Sequence, residues 1–138
     1  VIVTDARDFQ SEKKFDRILV DAPCTGLGAL RRRPESRWRK QPSDVPALVT
    51  LQIELLEAAA NLVADHGLIA YSTCSPHIAE TDQVVDRFLK SHPNYELVDL
   101  APALPMLELP AGTQRLRLRP DAHGTDGMYL AILRHTNN

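Results

Sequence analysis

The chain has 138 residues, 43% of them hydrophobic and 25% charged, which suits one compact domain or a piece of a larger one. No run of about 18 apolar residues is there to span a membrane, and no charged-then-apolar leader suggests secretion, so the reading is a cytoplasmic protein. Two cysteines, Cys24 and Cys74, with no C-x-x-C, argue against a disulfide scaffold or zinc knuckle, and five scattered histidines add no metal site.

Val1 to Thr4 is an apolar, mostly β-branched run ending at Asp5, and Phe15 to Val20 is another ending at Asp21; both read as buried strands. Next, "RRRPESRWRK" from Arg31 to Lys40 holds six basic residues against one acid, so it carries +5 within a net charge of -2. With Trp38 inside it, this segment can neutralise phosphates and offer a ring for stacking, or it can be a solvated arginine-rich loop. Ser43 or Asp44 is expected to cap a helix with Pro46 in its first turn. In that helix Leu48, Leu51, Leu55, Ala59 and Leu62 recur at helical spacing until Gly67 stops the pattern.

Leu68 to Ser72 reads as a third buried strand. Ser75 and Pro76 open a second helix with Val84, Val85, Phe88 and Leu89 on its apolar side, and His92-Pro93 closes it. Tyr95 to Leu100 and Gly127 to Leu133 read as fourth and fifth strands. Between them lie four of the ten prolines and the alternating "RLRLR" of Arg115 to Arg119, where loop and edge-strand readings stay open. Strand and helix alternate, with continuous apolar strands, which implies an α/β domain with a mostly parallel sheet. Ligands of such sheets sit outside the carboxyl ends of the strands, where Asp5, Asp21, Cys24 and Cys74 all fall.

Thiols and a carboxylate at that edge could together serve the methylation of cytosine at carbon 5. Carbon 5 of cytosine is too poor a nucleophile to attack a methyl donor. A thiolate adding to carbon 6 makes the ring an enamine whose carbon 5 is nucleophilic. A carboxylic acid at ring nitrogen 3 assists the addition, and a second thiol can assist the later expulsion of the first. Cys24, Cys74 and Asp21 meet these requirements.

"DAPC" at Asp21 to Cys24 and "STCS" at Ser72 to Ser75, each ending a strand, resemble the signature pair of the Sun (Fmu) family of RNA cytosine-5 methyltransferases. "DRILVDAPCTGLGALRRRPESRW" and "HGTDGMYLAILR" follow the family pattern too, so the resemblance covers nearly the whole chain. It implies an S-adenosylmethionine cofactor and an RNA substrate, small-subunit (16S) ribosomal RNA for the bacterial members. The implied fold is the carboxyl-terminal half of a Rossmann-like methyltransferase sheet, mostly parallel with an antiparallel last strand. By the resemblance Cys74 is the nucleophile and Cys24 assists product release. Asp21 lies between the cofactor's methionine end and the cytosine, and Asp5 contacts the adenosine part. Arg31, Arg32, Arg33, Arg37, Trp38 and Lys40 are the expected RNA contacts, and Gly26 and Gly28 are expected to let the backbone pass close to the target nucleotide.

Other readings stay open on residues alone. A cysteine on an apolar strand can be a small core residue, Asp5 and Asp21 can cap loops, and Gly26 and Gly28 can be ordinary turn glycines. A DNA-type cytosine-5 enzyme would use the Pro23-Cys24 thiol as nucleophile, leaving "STCS" without a role, and an inert RNA-binding module would use the basic segment alone. The six glycines include no G-x-G-x-x-G, and the chain opens inside a strand. Residues 1 to 138 are therefore expected to be a partial catalytic domain without the cofactor's glycine-rich loop or an amino-terminal RNA-binding region. On its own it should be inactive, bind the cofactor weakly, and cover its first strand's open flank by self-association. No membrane or metal partner is expected.

Overall fold

Continuous apolar runs build the strands, and a 3.6-residue repeat builds the helices that cover them. The computed structural model describes residues 1–136. In chain order these form β1 (Phe15–Asp21), α1 (Ser36–Arg39), α2 (Val45–Ala60), β2 (Val63–Thr73), α3 (Asp82–Ser91), β3 (Tyr95–Leu97), β4 (Arg115–Leu118), α4 (Pro120–His123) and β5 (Met128–His135). One mixed sheet results. β1 and β2 pair in parallel, β5 runs antiparallel against β2, and β3 and β4 pair antiparallel with β5 along its other edge. Four strands thus run one way and the last runs against them, the α/β methyltransferase-like arrangement expected from sequence.

The core lies between the sheet and the pair α2 and α3. Ile69 and Tyr71 of β2 and Tyr129 and Leu133 of β5 meet Leu56 of α2 and Val84, Val85 and Phe88 of α3, all essentially without exposed surface. Burial of a side chain such as Leu56 contributes about 2 kcal/mol. Among the described residues no helix is long and apolar enough to cross a membrane.

Several expected boundaries move. Val1 to Thr4 is not a strand but exposed irregular chain, because no neighbouring strand offers it backbone partners. β2 begins at Val63, ahead of Gly67, since it bends near its start. Phe15 pairs with Val63 but Arg17 with Leu68, and His66 turns the intervening chain at φ 60. Asp44 does not cap α2. Its carboxylate accepts the Gln41 N–H at 2.9 Å and closes a short 3₁₀ turn over Pro42–Asp44 instead. The second helix starts at Asp82, not Ser75, after a 3₁₀ turn at Ile78–Glu80. The fourth strand stops at Leu97, ahead of Leu100, and "RLRLR" is an edge strand through Leu118.

Candidate active site

Because β1 and β2 are adjacent and parallel, whatever follows them emerges side by side. Ala22 continues the pairing past β1, its N–H donating to Ser72 O at 2.9 Å. Cys24 and Cys74 follow, and their sulfurs stand 3.4 Å apart, both half-buried and unbridged. Burial first, and the neighbouring Cys74 second, push the Cys24 thiol up to about 12. Cys24 is thus a protonated thiol at neutral pH, able to donate its S–H to the Cys74 sulfur.

The antiparallel direction of β5 brings its start to the same end of the sheet, where Tyr129 pairs with Thr73. There two loops interlock around Cys74. The Gly28 N–H donates to Cys74 O at 2.9 Å, and the Gly127 N–H donates to Gly28 O at 2.9 Å. A Cβ on Gly28 would lie 1.9 Å from Gly127 O. Gly28 therefore permits a close approach to the chain's own backbone. Gly26, at φ +71, provides the left-handed turn that leads into this contact.

Arg32 closes the site from the basic segment. Its guanidinium meets the nearly buried Asp126 carboxylate at 2.5 and 2.7 Å. This bond, and to a smaller extent the Cys74 sulfur, holds Arg32 firmly cationic. In return Arg32, chiefly through the hydrogen bond, holds the Asp126 carboxyl below the usual carboxylate range. A carboxyl lowered in the folded state adds stability that is complete above the ordinary carboxylate range and fades as pH falls through the lowered native value. Urea midpoints measured from neutral to acid pH should therefore fall less steeply in Asp126→Asn than in the unaltered chain. Equal slopes would show that the pair does not contribute to acid sensitivity.

Most of the remaining expected RNA contacts are exposed. Arg31 reaches Gly124 O at 3.4 Å, Arg33 and Arg37 project into solvent, Lys40 is half-buried, and Trp38 is 78% exposed on the single helical turn α1. Asp5 and Asp21 line a cavity of about 840 Å³ along the open edge of β1, and Pro23, next to Cys24, lines it too. Ile2, Phe9, Ile18 and Leu51 give it an apolar wall. Arg7 holds the Asp5 carboxyl at about 2, chiefly by side-chain hydrogen bonding, and reaches Glu54 of α2 at 2.7 Å. Acceptor carboxylates beside an apolar wall fit a nucleoside-type cofactor, whose base needs the wall and whose hydroxyl and amino groups need acceptors.

Residues that sequence reasoning passed over stand behind the thiols. Glu80 has no exposed surface, and it accepts hydrogen bonds from Thr25 and Ser75, the residues that follow the two cysteines. Gln52 of α2 is equally buried and donates to Pro23 O at 2.8 Å.

A mixed sheet with one antiparallel last strand, carrying paired thiols at the ends of its parallel strands, defines part of a methyltransferase-type α/β domain. Comparison with known proteins agrees. The family model for 16S rRNA methyltransferase RsmB/F matches residues 1–134, and the chain belongs to that family. A putative methyltransferase of Mycobacterium tuberculosis is 51% identical over 131 residues, covering 94% of this chain and 28% of that protein. A probable ribosomal RNA small subunit methyltransferase B of Bacillus subtilis is 39% identical over 128 residues, covering 91% of this chain and 28% of its own length. This chain thus spans little more than a quarter of these curated relatives. Among solved structures, NSun6 from Pyrococcus horikoshii, solved with SFG, superposes at a TM-score of 0.78 and 26% identity, covering 99% of this chain and 34% of that one. The protein PH0851 superposes at 0.82 and 34% identity, with 96% and 30% covered.

Proposed function

We propose that this chain is the thiol-bearing part of an RNA cytosine-5 methyltransferase that uses S-adenosylmethionine and acts on 16S ribosomal RNA. The observation that carries the reading is the pair of sulfurs 3.4 Å apart at the ends of adjacent parallel strands, one of them held as a thiol by burial. The family assignment and a structural relative solved with SFG, an analogue of S-adenosylmethionine, support the cofactor and the RNA substrate.

In this reading Cys74 adds through its thiolate to carbon 6 of the cytosine, with the Arg32 cation interacting with the Cys74 sulfur. Cys24 keeps its proton and donates to the Cys74 sulfur, which makes the latter a better leaving group when the adduct breaks down. Asp21, heading the loop that carries Cys24, in its acid form donates a hydrogen bond to ring nitrogen 3. S-adenosylmethionine, when bound, supplies an electrophilic methyl group; Asp5 would hold its adenosine part and Asp21 its methionine end. The carbon 5 proton then passes to water, Cys74 leaves as a thiolate that accepts the Cys24 S–H, and the ring regains its aromaticity. Nucleoside analysis of small-subunit RNA treated with the intact methyltransferase that carries this sequence should show new 5-methylcytidine. Methylation of an exocyclic amine instead would refute the thiol mechanism.

Arg31, Arg33, Arg37 and Lys40 grip phosphates and Trp38 stacks on a base, while Arg32, expected among the phosphate contacts, is engaged by Asp126 at the thiol site. Neutralising Arg33, Arg37 and Lys40 together in the intact protein should lower the slope of log affinity against log salt by about 2 to 3, close to one per lost phosphate contact. Trp38→Ala should instead weaken binding by about 1 to 3 kcal/mol with the slope unchanged. An unaltered slope in the charge-neutralised protein would mean that this face is merely solvated.

A further inference from the structure

A carboxylate without solvent is costly to keep unless every lone pair finds a donor. Glu80 is such a group, and its donors come from both thiol loops. Its Oε1 accepts the Thr25 N–H at 2.8 Å and the Gln52 Nε2–H at 3.2 Å. Its Oε2 accepts the Thr25 and Ser75 hydroxyls, each at 2.6 Å. Thr25 follows Cys24 and Ser75 follows Cys74, and their hydroxyl oxygens are themselves 3.1 Å apart. Gln52 also donates to Pro23 O at 2.8 Å, so the backbone is held on both sides of Cys24. Glu80 is anchored in turn to the sheet, because the Tyr71 hydroxyl of β2 donates to Glu80 O at 2.8 Å.

We infer that Glu80 is a positioning residue whose buried carboxylate clamps the Cys24 and Cys74 loops together and so sets the separation of the two sulfurs. The inference rests on the reading that these thiols are the working groups, yet the separation can be measured without any methylation. Hydrogen bonds donated by both loops to one buried carboxylate fix the thiols before substrate arrives, and such preorganisation is worth most where two groups must act in turn at one site. An apolar side chain at this position would fill the space and leave the Thr25 N–H and one of the two hydroxyl donors unmatched.

Phenylarsine oxide provides the test on this chain, because its arsenic condenses with two thiols, losing one water and forming two As–S bonds, and binds tightly only when they are already close. Glu80→Ala should weaken its affinity by about tenfold or more as the preset separation is lost. Glu80→Gln keeps the shape and one carbonyl oxygen, and should recover to within about threefold of the unaltered chain. Unchanged affinity in a folded Glu80→Ala would overturn the clamp. Should that variant not fold, the double variant Thr25→Val/Ser75→Ala removes both hydroxyl donors; weakened arsenical binding would support the proposal and unchanged binding would overturn it. In the intact methyltransferase Glu80→Ala should lower kcat with KM for RNA unchanged, and a rise in KM alone would count against positioning. If the unaltered intact protein makes no 5-methylcytidine, the proposed function fails while the arsenical result still judges the clamp.

Discussion

Replacing Cys74 by alanine in the intact methyltransferase is expected to lower methylation by on the order of 10³-fold or more and to remove every covalent adduct with RNA, because no group is left to activate carbon 5. Cys24→Ala is expected to do something different. The nucleophile is still present, so the base is attacked and methylated, but the thiol that donates to the Cys74 sulfur is gone. Protein joined to RNA should then accumulate as a slow band on a denaturing gel. The structure gives a physical basis for this asymmetry. The sulfurs are 3.4 Å apart, and burial keeps Cys24 protonated well above neutral pH, which suits a donor and not an attacking thiolate. An adduct trapped by Cys74→Ala and lost in Cys24→Ala would reverse the roles and make the site DNA-type.

Gly28→Ala is expected to be among the most damaging single changes that leave the chemistry itself untouched. The added Cβ would lie 1.9 Å from Gly127 O, 2.8 Å from Gly127 C and 2.9 Å from Cys74 O. All three are backbone atoms, so no side chain can rotate away, and the loops holding Cys74 must separate. We expect about 3 kcal/mol of destabilisation in urea unfolding of the chain, and a loss of methylation in the intact enzyme to match. Gly26→Ala is the control. Nothing lies within 4 Å of its Cβ position, so the positive φ of +71 alone should cost about 1 kcal/mol. Equal effects of the two substitutions would mean that the Gly28 contact is not a constraint.

The sheet and the two thiols were legible because their signals are local. "RILVD" and "LIAYST" are continuous apolar runs, and each cysteine lies just beyond the point where such a run stops. The stop at Asp21 and Thr73 is also what places Cys24 and Cys74 at one end of neighbouring strands. Glu80 was illegible for the opposite reason. In "AETD" it has the look of an acidic residue opening a helix, and its partners Thr25 and Gln52 are far away in sequence. The Arg32–Asp126 pair crosses most of the chain, so the arginine run could be read only as a charge and not as a strut of the site. Val1 to Thr4 has strand-forming residues but no paired neighbour, and β propensity without a partner does not make a strand.

In the proposed mechanism Cys74, and not Cys24, forms the bond to cytosine, and RNA carrying 5-fluorocytosine at the target distinguishes the two thiols. Fluorine at carbon 5 cannot leave as a proton does, so an enzyme that has attacked and methylated the base stays attached to it. Peptide mapping by mass spectrometry of the intact methyltransferase after reaction with this RNA and S-adenosylmethionine should place the nucleotide on Cys74. A nucleotide found on Cys24, or no covalent complex with RNA that is otherwise bound, would contradict the account.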